Sequence, residues 1–171
     1  LYQPAMEEVR SGRRPWAKLD ELHRESLVRL LGDFGITRVS PPEIDHLNYA
    51  WHRLDPWPDV GAGLTRLKRR FTLATLSNGN IALMVDMAKR AGLPWDAILG
   101  AEVARAYKPT PEAYLRSAEA LGLRPEQCLM VAAHPSDLAA AARCGLRTAY
   151  VPRPLEFGPG RPGSQPEPGQ P

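Results

Sequence analysis

The second half of the chain alternates short apolar runs with helical segments that each end at a glycine. The apolar runs have the length of strands and cover residues 71–76, 97–99, 128–132 and 148–151. The helical segments end at the residue type that most often follows a helix C-terminus, here Gly92, Gly122 and Gly145. Strands that alternate with helices of this length indicate βαβ units. The sequence therefore predicts an α/β fold with a Rossmann-like parallel sheet and helices on both faces.

The first 55 residues have a different pattern, in which apolar side chains recur at helical spacing from Leu19 onward. The segment 40–43, Ser-Pro-Pro-Glu, is typical of a helix start. Serine can cap the helix, proline is tolerated at its first position, and glutamate falls where a capping box requires it. We therefore predict a small, all-helical cap domain over residues 1–55 and an α/β core over 56–152.

The C-terminal end has a third composition. Seven of the last 20 residues are proline and four are glycine, and almost nothing apolar follows Phe157. Such a segment buries too little apolar surface to offset the entropy lost on ordering it. The composition predicts a disordered tail over residues 153–171.

Charge and apolar content exclude several functional classes. The 171 residues carry a formal net charge of only +3, and their basic residues are scattered, with short runs such as 13–14 and 68–70. A nucleic-acid-binding surface would need a basic stripe with motif support, so we expect no nucleic-acid partner. No apolar run has the length of a membrane span, so no membrane partner is expected. The two cysteines, Cys128 and Cys144, are too few for a disulfide framework, and a cytoplasmic location is expected.

Three polar segments follow or flank the predicted strands, at residues 77–80, 106–109 and 132–137. In an open parallel sheet, ligands bind beyond the carboxyl ends of the strands. Each segment taken alone is also typical of a turn, a helix cap or a solvated loop. Their joint occurrence at one edge of the predicted sheet favours a functional site.

In this order and spacing, the segments resemble the haloacid dehalogenase superfamily, and within it the type II 2-haloacid dehalogenases. The matching stretches are 75–80, 107–109 followed by Tyr114, 131–138, and the strand entry at 145–149. The resemblance covers about residues 1–157 and implies that the helical segment is the family's cap. It also implies that the first core strand and its nucleophilic aspartate are missing from this chain, which would then be an inactive, N-terminally truncated fragment.

The resemblance implies a role for each matching polar residue. An aspartate of the family attacks the carbon that bears the halogen, and water then hydrolyses the resulting ester, without a metal or organic cofactor. Ser77 and Asn78 would bind the substrate carboxylate, and Tyr114 would line the site. Lys108 would pair with the nucleophile and keep it ionised. Asp137 would orient Lys108 and the hydrolytic water.

Two positions depart from the family pattern. The loop that holds the water often carries a serine and an asparagine, where this chain has Ala132 and His134. The resemblance thus implies that His134 positions the water. The cap arginine that receives the halide has no clear match, since Met6 occupies the equivalent place and Arg10 follows one helical turn later.

The function expected from this resemblance is displacement of halide from a short 2-haloacid through an aspartyl ester. One alternative is a phosphatase of the same superfamily, which would need Mg²⁺ as cofactor and usually paired aspartates, where this chain offers Asp137 alone. A second alternative is a non-catalytic fragment of the fold. The expected partner is a small-molecule carboxylate substrate, and a homodimer is left open.

Overall fold

The computed structural model of the protein describes residues 2–161 and 163–165. The chain divides into two compact units, one that ends at Tyr107 and one that begins at Lys108. Within the described residues, every helix is too short or too polar to cross a membrane. Each unit is described below by itself.

The first unit is helical up to residue 67 and continues as two strands with helices. Its elements, in chain order, are α1 (Tyr2–Arg10), α2 (Leu19–Asp33), α3 (Pro41–Asn48), a 3₁₀ turn (Tyr49–Arg53), α4 (Val60–Leu67), β1 (Ala74–Ser77), α5 (Ile81–Ala91), β2 (Ala97–Gly100) and α6 (Ala101–Ala104). Strands β1 and β2 are parallel and pair from Ala74–Ala97 to Ser77–Gly100. The hydroxyl of Thr75 reinforces this pair, because it donates to the Leu99 carbonyl at 2.9 Å and accepts from the Leu99 N–H at 3.0 Å.

Side chains satisfy backbone N–H groups at the starts of α3 and α5. The predicted capping box is present at α3, where Glu43 accepts from the Ser40 N–H at 2.8 Å. At α5, the Ile81 N–H donates to the Glu102 carboxylate at 2.7 Å, and Lys18 pairs with the same carboxylate at 2.9 Å. Burial opposes ionisation of Glu102, but the Ile81 and Lys18 contacts outweigh it and lower the pKa of the carboxyl. Glu102 is thus an ionised cap at the start of α5.

The apolar core of the first unit joins its helical part to the segment that follows β2. Its buried members are Met6, Ala17, Leu19, Leu22, Ala101 and Tyr107. The Tyr107 hydroxyl donates to the Ala17 carbonyl at 2.9 Å, which satisfies the one polar atom that this side chain buries. The helical segment and the first strand pair therefore pack as one unit.

The second unit is built around another parallel strand pair. Its elements are α7 (Pro111–Ala120), a 3₁₀ turn (Pro125–Gln127), β3 (Leu129–Ala132), α8 (Pro135–Arg143) and β4 (Arg147–Tyr150). The pair runs in register from Leu129–Arg147 to Ala132–Tyr150. Tyr114 of α7 and Leu138 of α8 are fully buried, so the apolar faces of both helices supply the core. The peptide bond at Lys108–Pro109, where the unit begins, is cis.

The predicted α/β class with parallel strands is confirmed. The described strands form two separate two-stranded sheets, β1–β2 and β3–β4. Sheet β1–β2 belongs to the first compact unit, and sheet β3–β4 belongs to the second.

The domain assignment of 1–55, 56–152 and 153–171 also stays a prediction. The boundary at residue 56 lies inside the first compact unit. Part of the predicted disordered tail, at 153–161 and 163–165, lies within the described residues and contains turns at 154–157 and 159–160. The rest of that prediction, at 162 and 166–171, lies outside the described residues.

Candidate active site

Asp137 is the centre of a cluster of polar side chains in the second unit. Strand β3 ends at Ala132, and α8 begins at Pro135 after His134 as its N-cap residue. The N–H of Asp137 donates to the His134 carbonyl at 3.1 Å. Asp137 therefore lies in the first turn of α8, where the helix dipole favours a negative charge.

Lys108 forms an ion pair with Asp137, with 2.5 Å between Nζ and Oδ2. The two side chains are only 16% and 14% exposed, so the pair is shielded from most of the solvent. A shielded charge pair with a direct hydrogen bond is much stronger than an exposed one. The segment that begins the second unit thus carries a cation that is fixed by the first turn of α8.

Tyr114 binds the other oxygen of Asp137. Its hydroxyl donates to Oδ1 at 2.6 Å, and its side chain is fully buried on α7. Burial and the neighbouring Asp137 carboxylate raise the pKa of the Tyr114 hydroxyl far above its ordinary value. Tyr114 therefore remains a proton donor, and both oxygens of Asp137 accept strong hydrogen bonds, one from Lys108 and one from Tyr114.

His134 has a different partner, which the sequence did not indicate. Its Nε2 lies 2.7 Å from Oε1 of Glu156, and the two side chains are 52% and 22% exposed. The second oxygen of Glu156 is buried and has no hydrogen-bond partner among the described residues. Glu156 belongs to the segment whose composition predicts disorder, so no periodicity or motif pointed to it.

Ser77 and Asn78 lie in the first unit, in the turn between β1 and α5. The Ser77 hydroxyl accepts from the Gly79 N–H at 3.0 Å, and Nδ2 of Asn78 lies 3.6 Å from the sulfur of Met6. Gly100 pairs with Ser77 and has a φ of 132°, and a Cβ at Gly100 would lie 2.2 Å from the Ser77 carbonyl oxygen. Only glycine fits there, so the position of Ser77 depends on Gly100.

Behind this turn lies a buried polar network that the sequence reasoning missed. Asn80, the N-cap residue of α5, is 3% exposed, and its amide donates to Asp20 of α2 at 2.8 Å. His52 is also 3% exposed and lies between Asp20, at 3.1 Å, and Asp86, at 2.7 Å. This network links the turn that follows β1 to helix α2 and the 3₁₀ turn. Its members are far apart in the chain, and no local pattern marks them.

The structure thus brings together Lys108, Tyr114 and Asp137, whereas Ser77 and Asn78 belong to the other unit. His134 lies three residues before Asp137 and pairs with Glu156. Of the cap residues, Met6 is buried beside Asn78, and Arg10 pairs with Glu7 at 2.9 Å. The role predicted for each of these residues stays a prediction.

The family model for haloacid dehalogenase-like hydrolases matches residues 4–145. The chain belongs to this family, and the predicted resemblance is confirmed.

Three similar proteins are dehalogenases. The chain is 34% identical over 137 residues to an (S)-2-haloacid dehalogenase of Xanthobacter autotrophicus. The aligned region covers 76% of this chain and 51% of that protein. It is similar to the crystal structure of the L-2-haloacid dehalogenase PA0810, with 49% identity and a TM-score of 0.90 over 94% of this chain and 68% of the other. The defluorinating L-2-haloacid dehalogenase Rha0230 gives 49% identity and a TM-score of 0.91, with coverage of 94% and 66%. The chain spans about half the length of the curated relatives it matches.

Proposed function

We propose that this protein is a 2-haloacid dehalogenase, which displaces halide from a short 2-haloacid through an aspartyl ester and then hydrolyses that ester. The family membership and the dehalogenases among its relatives support this reaction class. The absence of the family's nucleophilic aspartate from residues 1–171, which the resemblance implies, stays a prediction. The chain therefore supplies the groups that act on the nucleophile, the substrate and the water. The expected cytoplasmic location stays a prediction, and the homodimer stays an open alternative.

The observation that carries the proposal is the shielded cluster of Lys108, Tyr114 and Asp137. An ammonium group held at 2.5 Å by Asp137 stays at a fixed position. A fixed cation stabilises a carboxylate nucleophile in its ionised form. Tyr114 fixes Asp137 from the other side at 2.6 Å. The cluster thus holds a cation in place, where it would favour the ionised form of a nearby carboxylate nucleophile.

For Ser77 and Asn78 we propose a role in binding the substrate carboxylate. They lie directly before α5, whose N-terminal N–H groups and dipole favour an anion. The close approach of Gly100 and the anchoring of Asn80 by Asp20 fix the turn at both ends. A turn fixed in this way holds its donors in place without further ordering when an anion binds.

Mg²⁺ chemistry, as in a phosphatase of the same family, fits the second unit poorly. Mg²⁺ binds carboxylate oxygens and demands near-octahedral geometry. Both oxygens of Asp137 already accept hydrogen bonds, one of them from an ammonium group. A divalent cation would have to displace Lys108 from this carboxylate. We therefore propose a metal-independent reaction and derive no step through Mg²⁺.

The test supplies the chain with the strand that the resemblance implies. Leu1 is joined to the segment of the Rha0230 dehalogenase that precedes the matched region, which the resemblance predicts to supply the core strand and its aspartate. We expect this protein to release chloride from 2-chloropropionate, with or without a chelator. Release of phosphate from 4-nitrophenyl phosphate, dependent on Mg²⁺, would support the phosphatase instead. A folded protein that turns over neither compound would mean a non-catalytic role.

A further inference from the structure

We propose that Glu156 is a positioning residue that holds His134 as the base for the hydrolytic water, so that the C-terminal segment takes part in the second step of the reaction. This inference rests on the proposed dehalogenase function. It adds a residue to the site and assigns a role to a segment whose composition predicts only disorder.

The geometry of the pair fixes the protonation pattern of the imidazole. The Glu156 carboxylate accepts hydrogen bonds only, so the proton of a neutral His134 ring must sit on Nε2, which lies 2.7 Å from Oε1. Nδ1 is then the basic nitrogen. Because the His134 side chain is 52% exposed, the ring is accessible to water. A carboxylate that orients an imidazole in this way is the arrangement that prepares histidine as a general base.

The surroundings of Asp137 favour His134 as the base. Both oxygens of Asp137 accept strong hydrogen bonds, from Lys108 at 2.5 Å and from Tyr114 at 2.6 Å. Asp137 is therefore already engaged in holding Lys108 and Tyr114. His134 lies on the same loop, three residues earlier, and caps the helix that carries Asp137. It can therefore accept a proton close to the cluster without disturbing the ion pair.

The segment after β4 has contacts that bring Glu156 back to His134. The Glu156 N–H donates to the Arg153 carbonyl at 3.0 Å, which closes the turn at 154–157. The Tyr150 hydroxyl, at the end of β4, donates to the Ser164 carbonyl at 2.5 Å. A Cβ at Gly163 would lie 2.2 Å from the Arg153 carbonyl oxygen, so the returning chain passes directly against the turn. These contacts give the segment a defined path around Glu156.

The proposed step balances as an ester hydrolysis. Water adds to the carbonyl carbon of the aspartyl ester, and its proton moves to Nδ1 of His134 while Nε2–H keeps its bond to Glu156. The acyl–oxygen bond then breaks, and the departing alkoxide takes the proton from His134 to become a 2-hydroxy acid. The aspartic acid so formed loses its proton to solvent and is again a carboxylate.

The experiment uses the extended, active protein described above and separates its two steps. Glu156→Gln should leave the rapid release of the first halide per molecule unchanged, because ester formation does not need the base. Steady-state turnover should fall at least about tenfold, within the range general-base catalysis supplies. The ester should then accumulate, detectable by mass as the added acid group. Glu156→Asp should recover part of the turnover.

Glu126→Gln is the matched control, because Glu126 lies in the same unit but pairs with Arg124 at the surface, with 58% of its side chain exposed. It should leave both steps unchanged. Equal loss of both steps in Glu156→Gln would mean a merely structural role, and unchanged turnover would mean none. Either outcome overturns the inference while the first halide release still supports the dehalogenase.

A second measurement does not depend on activity. In the 171-residue chain, ring ¹⁵N shifts should show the Nε2–H tautomer of His134, and Glu156→Gln should abolish this preference. The same tautomer mixture in both proteins would mean that the pair does not form, which overturns the inference directly. If the extended wild-type protein releases no halide, the dehalogenase proposal fails, and the base role fails with it.

Discussion

The ion pair of Lys108 and Asp137 provides the sharpest test of the candidate site. Lys108→Met keeps the length of the side chain but leaves the Asp137 carboxylate, which is 14% exposed, without its counter-charge. Breaking a buried pair in this way costs about 3–5 kcal/mol. Since some exposure remains and Tyr114 still donates to Asp137, we expect the lower end, about 3 kcal/mol of unfolding free energy.

The double variant decides whether the loss comes from the pair itself. Asp137→Asn in the Lys108→Met background removes the unpaired charge, so the two changes together should cost less than the sum of the single changes. The interaction free energy should be about 1.5–3 kcal/mol, as for hydrogen bonds to charged groups. Equilibrium urea unfolding followed by far-UV circular dichroism measures each free energy.

An exposed pair in the same unit is the control. Arg124 and Glu126 lie 2.6 Å apart, but their side chains are 72% and 58% exposed. The same cycle at this pair should give less than about 1 kcal/mol, because solvent screens exposed charges. Additive effects of Lys108→Met and Asp137→Asn, within about 0.5 kcal/mol, would refute a shielded, coupled pair.

Three further predictions concern the first unit. Gly100→Ala should lower the unfolding free energy, measured by urea unfolding, by more than about 2 kcal/mol, because its φ is 132° and its Cβ would meet the Ser77 backbone. The control Gly61→Ala in α4, with open space around it, should be neutral or stabilising in the same assay. Because folding lowers the pKa of Glu102 from its ordinary value of 4.5, its carboxylate contributes fully to stability above pH 4.5, and this contribution is lost as the pH falls through the folded pKa. The difference in unfolding free energy between wild type and Glu102→Gln should therefore be constant above about pH 4.5 and shrink below it. Asn78→Ala should weaken binding of a carboxylate inhibitor at least about tenfold in calorimetry of the extended protein, and unchanged affinity would leave Asn78 as a turn residue only.

Local chemistry was sufficient to predict most elements of the fold. The helix predicted to end at Gly92 is present as Ile81–Ala91, and Gly92 follows it with a φ of 63°. The first strand was predicted from residue 71 but begins at Ala74. The reason is tertiary: the Asp96 carboxylate accepts from the Leu73 N–H at 2.9 Å, so a side chain takes the place of the strand ladder there.

The family motif also placed Lys108, Tyr114 and Asp137 in advance, and the structure brings these three together. Their positions follow from where strands end and helices begin, which the alternation of apolar runs and glycines encodes locally. The motif could not tell that Tyr114 and Lys108 engage opposite oxygens of Asp137. That arrangement depends on how α7 packs against α8.

The remaining features arise only in the folded chain. Periodicity in a sequence tells which face of a helix or strand is apolar, but it does not tell which polar groups meet across the fold. His52 meets Asp20 and Asp86, over separations of 32 and 34 residues. Glu156 reaches His134 from 22 residues away, out of a segment with too few apolar residues to signal any packing. The sequence by itself determined the α/β class and the motif residues. Tertiary packing decided the partners of each buried charge, because a charge removed from water needs a partner and only the fold brings one within reach.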